Sequence, residues 1–89
     1  MKVLKFGAVW CPGCLVMRPL WQEIEQENPE LQTEYFDYDE AKEAVEKWQV
    51  NETLPTFIFV NNQDQEILRL HGERSKAELL RLIEENKDK

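Results

Sequence analysis

Positive charge and long apolar runs are both scarce in this sequence. It has 11 Lys and Arg against 18 Asp and Glu, which gives a net charge of −7. Nucleic acids and anionic membrane surfaces bind basic patches, so this balance argues against both as partners, and no stretch approaches the roughly 20 apolar residues that span a bilayer. A charged start followed by an apolar run and a cleavage site is also missing. We therefore expect a cytoplasmic protein if Met1 is the natural start, since a chain whose leader had been removed would have the same sequence.

Cysteine and histidine are also few, with 2 Cys and 1 His in 89 residues. A chain of this length predicts a single domain over residues 1–89. Two Cys are too few for a disulfide-stabilised scaffold, and both lie in one Cys-x-x-Cys, which in a reducing compartment indicates redox or metal chemistry. A zinc site needs about four ligands, which this chain does not supply without carboxylates or a second copy. We therefore expect redox chemistry with no metal and no other cofactor.

Apolar residues recur with the period of strands in some segments and with that of helices in others. The predicted segments are strands over 2–9, 32–38, 56–60 and 66–71, and helices over about 12–27, after Asp39 and after Ser75. Asp39 is of a residue type that caps helices, and Ser75 with Glu78 resembles a capping box. The order β-α-β-α-β-β-α indicates an α/β domain made of a βαβ unit, a hairpin and a final helix.

The sequence Trp10-Cys11-Pro12-Gly13-Cys14 stands at the start of the first predicted helix. Cys11 lies just before that helix, where the amide donors and the positive end of the helix dipole stabilise a thiolate, the nucleophilic form of cysteine. Cys14 lies one turn further on, so its sulfur can reach Cys11 and resolve a mixed disulfide into an internal one. The motif therefore predicts thiol–disulfide exchange by the side chains of Cys11 and Cys14 themselves.

The segment FGAVWCPGCLVMRP resembles the thioredoxin signature, with a Trp before the first Cys and a Pro five residues after the second. Leu54-Pro55-Thr56, directly before a predicted strand, resembles the cis-proline loop of that family, and HGERSKAELLRLIEEN resembles its glycine and closing helix. The resemblance implies a minimal thioredoxin fold, a four-stranded mixed sheet flanked by three helices. The extra N-terminal strand and helix of full-length thioredoxins are absent from this sequence.

The resemblance also implies roles for the residues that match it. Cys11 attacks a substrate disulfide and Cys14 resolves the mixed disulfide. The residues implied in substrate binding form a shallow apolar groove and are Trp10, Pro12, Gly13, Leu54 and Pro55. The backbone of Leu54 would pair with an extended substrate chain. The expected partners are disulfide-containing proteins and a thioredoxin-reductase-like protein or another thiol reductant, and the chain is expected to work as a monomer in electron transport and redox homeostasis.

Lys5 departs from the thioredoxin pattern. Thioredoxins carry a buried Asp six positions before the first Cys, where it assists proton transfer at the second Cys, and this sequence has Lys5 there. The lysine has two interpretations. Its ammonium group extends into solvent, because an isolated buried charge is costly. Alternatively it lies near Cys14 and tunes its ionisation, by stabilising the thiolate or by accepting the proton.

Three other functions remain compatible with the sequence. A glutaredoxin has the same minimal order of elements, and KFGAVWCPGC also resembles its first strand and active-site turn, but Gly13 replaces the glutaredoxin Tyr and no GGxxD-like segment follows the hairpin. A dimeric module could hold an iron–sulfur cluster through Cys11. An exported protein could act as an oxidant or isomerase, since direction depends on reduction potential and compartment. The Pro12-Gly13 dipeptide, the reverse of the usual thioredoxin Gly-Pro, shifts that potential.

Overall fold

Four strands and three helices follow one another in the predicted order in the computed structural model, which describes residues 1–89. They are β1 (Lys2–Gly7), α1 (Pro12–Glu27), β2 (Gln32–Asp37), α2 (Lys42–Lys47), β3 (Thr56–Val60), β4 (Glu66–His71) and α3 (Lys76–Asn86). None of the three helices combines the length and the apolar character needed to cross a membrane.

The strands form one mixed sheet in the order β2-β1-β3-β4. β1 pairs with β2 in parallel and with β3 antiparallel, and β3 pairs antiparallel with β4. Phe6 faces Thr56 across the β1–β3 pair, so the segment that follows β1 and the segment that precedes β3 meet at the same end of the sheet. This arrangement confirms the minimal thioredoxin fold, and it brings the Cys11 and Pro55 segments together.

Two apolar clusters cover the two faces of the sheet. The larger cluster joins the sheet to α1 and α3 and consists of Val3, Met17, Trp21, Ile24, Phe57, Phe59, Leu79 and Ile83. The smaller cluster lies on the α2 side and consists of Leu4, Phe6, Val50, Ile58 and Val60. All five residues of β3 are buried, because β3 is an interior strand that contributes side chains to both clusters. This continuous apolar run is typical of a strand covered on both faces.

The first strand ends earlier than the sequence predicted. β1 stops at Gly7 rather than at Val9, because the chain turns there and the Cys11 N–H donates to the Ala8 carbonyl. The Val9 side chain is 76% exposed instead of lying in the sheet. An apolar residue that a strand pattern would bury is therefore presented at the surface beside the cysteines.

The second helix does not begin as predicted. It starts at Lys42, its N-cap is Ala41, and no side chain caps it. Asp37 instead accepts hydrogen bonds from the backbone N–H groups of Asp39 and Glu40, forming a turn that moves the helix start along the chain. The prediction that Asp39 caps this helix is wrong, because its carboxylate binds Trp10 instead. Ser75 does cap α3, accepting a hydrogen bond from the Glu78 N–H.

Candidate active site

Cys11 and Cys14 lie at the N-terminus of α1. Cys11 is the N-cap residue, with extended backbone angles (φ −98°, ψ 108°), and its Sγ accepts a hydrogen bond of 3.2 Å from the Cys14 N–H. Pro12 occupies the first helical turn, where a missing N–H costs nothing. The two sulfurs are joined in a disulfide, with 5.3 Å between the Cα atoms. The Cys11 sulfur therefore lies at the positive end of the α1 dipole, where a thiolate is stabilised.

The two cysteines differ in their surroundings. Cys11 is only 4% exposed, whereas Cys14 is partly exposed and lines a cavity beside the helix. Exposure alone would make Cys14 the attacking residue. The position at the helix start favours Cys11 instead, because the helix amides and dipole act on the N-cap sulfur and lower the cost of its ionisation.

The loop that faces the disulfide contains Pro55. The Leu54–Pro55 peptide bond is cis, which confirms the conformation that the resemblance implied. Pro55 is buried, and a Cβ added at Gly13 would lie 3.2 Å from its Cδ, so the proline stands directly against the active-site turn. The Thr56 hydroxyl donates to the Thr53 carbonyl at 2.8 Å, which closes the loop on itself. Leu54 remains partly exposed beside it.

Trp10 and its neighbours form an exposed apolar rim around the cysteines. The rim consists of Val9, Trp10, Leu15 and Val16, and each of these side chains is more than half exposed. The Trp10 indole is held in place, because its Nε1–H donates to Asp39 Oδ2 at 2.8 Å and its ring meets Tyr38 edge to face. Apolar side chains fixed at the surface are typical of sites that contact a partner.

A cavity of about 210 Å³ lies between α1 and the sheet, beside Cys14. Lys5 lines it with its side chain only 15% exposed, and its Nζ donates to Glu25 Oε2 at 2.5 Å. The ammonium group also lies 5.6 Å from the centre of the Trp21 ring. The interpretation that Lys5 extends into solvent is therefore wrong. Its charge is paired rather than isolated, and this pairing offsets the cost of burial.

Tyr35 also lies beside Cys14. A Cβ added at Gly7 would be 3.1 Å from the Tyr35 hydroxyl and 3.2 Å from Cys14 Sγ, so both groups occupy the space that a larger residue would need. The parallel register pairs Tyr35 with Lys5, and this pairing could have been inferred from the two strand patterns. The sequence contains no comparable indication that Glu25 contacts Lys5, because this contact depends on how α1 packs on the sheet.

No group of three or more His, Cys, Asp or Glu side chains is placed to share a metal ion.

Comparisons with known proteins match nearly the whole chain. A family model described as Thioredoxin matches residues 1–85. Thioredoxin H5 of Oryza sativa subsp. japonica is 41% identical over 70 residues, which are 79% of this chain and 50% of that protein. The solved structure of thioredoxin NaTrxh from Nicotiana alata has a TM-score of 0.86 and 27% identity, covering 96% of this chain and 71% of the other. The structure of thioredoxin 1 from Thermosipho africanus TCF52B has a TM-score of 0.80 and 29% identity, covering 96% of this chain and 92% of the other. The chain spans about half the length of these curated thioredoxins, Thioredoxin H5 and a Thioredoxin H-type of Picea mariana.

Proposed function

Because this chain belongs to the thioredoxin family, we propose that it is a thiol–disulfide oxidoreductase that reduces protein disulfides through Cys11 and Cys14. The observation that carries the proposal is the disulfide between these residues at the N-terminus of α1, with Cys11 as the N-cap. A helix N-terminus stabilises a thiolate, and a partner thiol one turn away is positioned to resolve what that thiolate forms.

The first step uses Cys11 in the dithiol form. Its thiolate attacks one sulfur of the substrate disulfide, the bond between the two substrate sulfurs breaks, and the second substrate sulfur leaves as a thiolate with the electron pair. The Cys14 N–H, which donates to Cys11 Sγ in the structure, supplies one of the hydrogen bonds that stabilise the attacking thiolate. The product is a mixed disulfide between Cys11 and the substrate.

The second step uses Cys14. After losing its proton, Cys14 attacks Cys11 Sγ, the internal disulfide forms, and the remaining substrate sulfur leaves as a thiolate that takes up a proton. The substrate has then gained two electrons and the protein has lost two. A thioredoxin-reductase-like protein or another thiol reductant returns the two electrons, and no bound cofactor takes part in the exchange.

We propose that Lys5 assists the second step. Its ammonium group is held by Glu25 along the cavity that Cys14 also lines. A positive charge there favours the thiolate that Cys14 must become. The test is the alkylation rate of Cys14 across pH in a Cys11→Ser background. Lys5→Met should move the titration of Cys14 to higher pH, and an unchanged titration would show that Lys5 has no such role.

The substrate groove that we propose lies between the rim and the Pro55 loop. Trp10 supplies an apolar wall, Pro12 and Gly13 form its floor, and the backbone of Leu54 pairs with an extended stretch of the substrate. The exposed apolar side chains of the rim and the partial exposure of Leu54 support this assignment. Backbone pairing recognises any extended chain, so a broad range of polypeptide substrates is expected.

Trapping experiments test the proposal directly. A Cys14→Ser variant forms the mixed disulfide but does not resolve it, so it should accumulate a covalent adduct with a disulfide-containing polypeptide that dithiothreitol releases. The matched Cys11→Ser variant should form no adduct and should have no disulfide reductase activity. Adducts formed through Cys14 in the Cys11→Ser variant would reverse the assigned roles, and the absence of any adduct in both would contradict the proposed activity.

We further propose that residues 1–89 act as one domain and as a monomer in the cytoplasm, where they contribute to electron transport and redox homeostasis. One sheet carrying both clusters supports the single domain, and the net charge of −7 disfavours anionic partners. A reduction potential of about −270 to −200 mV, measured by thiol trapping in defined thiol buffers, would support a reductant in a reducing compartment. A value near about −120 mV would indicate an oxidant and contradict this placement.

A further inference from the structure

Glu73 places a carboxylate beside the active-site turn, and the mechanism above does not use it. A Cβ added at Gly13 would lie 3.4 Å from Glu73 Cγ, 3.5 Å from Glu73 Oε2 and 3.2 Å from Pro55 Cδ. Gly13 is within the Cys-x-x-Cys motif, so the Glu73 side chain and Pro55 stand at the same point of the turn. The carboxylate therefore borders the proposed substrate groove.

The backbone holds Glu73 in this position. Gly72, the residue before it, has φ +84°, a backbone conformation that residues other than glycine rarely adopt. The Gly72 N–H donates to the Pro55 carbonyl at 2.8 Å, which ties this turn to the cis-proline loop. On the other side, Ser75 caps α3 through the Glu78 N–H. Glu73 thus lies between two anchored residues and not on a free loop.

The charge of Glu73 is not neutralised by a neighbour. Its side chain is exposed and takes part in none of the hydrogen bonds or ion pairs of the protein. The adjacent Arg74 binds Glu78 and the His71 carbonyl instead. Asp39, bound to the Trp10 indole, adds a second carboxylate on the Trp10 side of the cysteines. Two further cations, Lys5 and Arg18, line the cavity beside Cys14.

We propose that Glu73 makes this site prefer polypeptide disulfides that carry a Lys or Arg next to the reacting cysteine. The inference rests on the proposed function, because a substrate strand paired with Leu54 carries the residues that flank its cysteine past Gly13 and the Glu73 carboxylate. A cation placed there is attracted and an anion is repelled, and in a partly desolvated groove this discrimination is larger than in bulk water.

The experiment uses three peptides that each carry one cysteine in a mixed disulfide with thionitrobenzoate. They differ at a single position, Lys, Gln or Glu, next to the cysteine. Cys11 attacks the peptide sulfur, the peptide–thionitrobenzoate bond breaks, and thionitrobenzoate leaves as a coloured thiolate with the electron pair, so its appearance gives the rate of the first step. Wild type should react about tenfold faster with the Lys peptide than with the Glu peptide at low salt.

Three variants and a salt series decide the proposal. Glu73→Gln should reduce the Lys-to-Glu rate ratio to near one, and Glu73→Lys should invert it. Glu30→Lys, at the exposed turn beyond the far end of α1, changes the net charge by as much as Glu73→Lys and should leave the ratio close to that of wild type. Molar salt should also compress the wild-type ratio, because it screens exposed charges.

The Lys-to-Glu rate ratio tests the selectivity assigned to Glu73 separately from the proposed oxidoreductase activity. Glu73 substitutions that change the reactivity of Cys11 itself alter all three rates equally and cancel in the ratio. If wild type fails to react with the Gln peptide, the proposed oxidoreductase activity is wrong. If wild type reacts with all three peptides but Glu73→Gln leaves the ratio unchanged, or if Glu30→Lys shifts it as far as Glu73→Lys does, the selectivity assigned to Glu73 is wrong.

Discussion

The rim around Cys11 and the core beneath β3 are both rich in apolar side chains, but they expose them very differently. The four rim residues are 51% to 76% exposed, whereas the five residues of β3 are all buried. Folding has already removed the β3 side chains from water, and this burial contributes to stability. The rim side chains leave water only when another molecule covers them.

This contrast separates residues that determine stability from residues that determine substrate binding. Substitutions in the core should change the free energy of unfolding and leave the chemistry of the folded molecules unchanged. Substitutions at the rim should change the binding of polypeptide substrates and leave the free energy of unfolding nearly unchanged, because exposed side chains contribute little to stability. Lys5 and Glu25 line the cavity that Cys14 shares with core residues. Substitutions at these two positions should therefore change both stability and the reactivity of Cys14.

The largest effect on stability is expected from Leu79→Ala. Leu79 is fully buried in the cluster between α3 and the sheet, so its truncation leaves a cavity and should lower the free energy of unfolding by about 2–5 kcal/mol. Urea denaturation followed by circular dichroism measures this loss. The rate of disulfide reduction per folded molecule should stay near the wild-type rate, and a large fall in that rate would break the separation between core and rim.

A smaller loss is expected from Lys5→Met. The substitution keeps the apolar stem but leaves the partly buried Glu25 carboxylate with only its hydrogen bond from the Thr33 hydroxyl at 3.0 Å. The unfolding free energy should fall by about 1 kcal/mol, because the Glu25 side chain retains 32% exposure and some hydration. The double variant Lys5→Met with Glu25→Gln should recover part of this loss. No recovery would show that the pair is not energetically coupled.

Leu15→Ser should change binding and hardly change stability. The Leu15 side chain is 55% exposed on the first turns of α1, so replacing it should alter the unfolding free energy by less than about 0.5 kcal/mol. If polypeptide substrates cover the rim, KM for a protein disulfide should rise severalfold while the rate with a small disulfide stays constant. Equal effects on both substrates would contradict the assignment of the rim to substrate binding.

The smallest effect is expected from Lys76→Gln, at an exposed contact between α3 and α1. Glu27 accepts a hydrogen bond from Lys76 and raises the pKa of Lys76 above its ordinary value of 10.5. A raised pKa means that the stabilising contribution is complete below pH 10.5 and is lost as the pH rises through the folded-state value. The stability difference between wild type and variant should therefore be small at neutral pH, fall with added salt, and vanish in strong alkali.

Most of the fold followed from periodicity in the sequence. The apolar run of β3, the strand pattern of β4 and the helical spacing of α1 predicted the observed bounds of these elements, because each element packs apolar side chains against the larger cluster. The bounds of β1 and α2 were less accurate. Val9 has the composition of a strand residue but lies beyond the end of the sheet, and the α2 start is set by hydrogen bonds to Asp37 that periodicity does not describe.

The candidate site was predictable where its residues are neighbours in sequence. Cys11 and Cys14 belong to one motif, and the family resemblance gave the cis bond at Pro55. The contacts of Glu25 and Glu73 were not predictable, because they depend on how a helix or a turn packs against a distant segment. For the same reason the sequence left two interpretations of Lys5 open, and its partner had to be seen in three dimensions.

The three tryptophans occupy three different environments. Trp10 is half exposed at the rim, Trp21 is 2% exposed in the larger cluster against Phe57, and Trp48 is partly buried on the α2 side with the Lys47 ammonium 5.3 Å from its ring. Indole emission depends on the polarity and the charges around the ring. A variant that keeps only one of the three tryptophans would therefore have fluorescence that follows one part of the molecule. Trp10 would follow substrate binding at the rim, Trp21 the packing of α1 on the sheet, and Trp48 local unfolding on the α2 side.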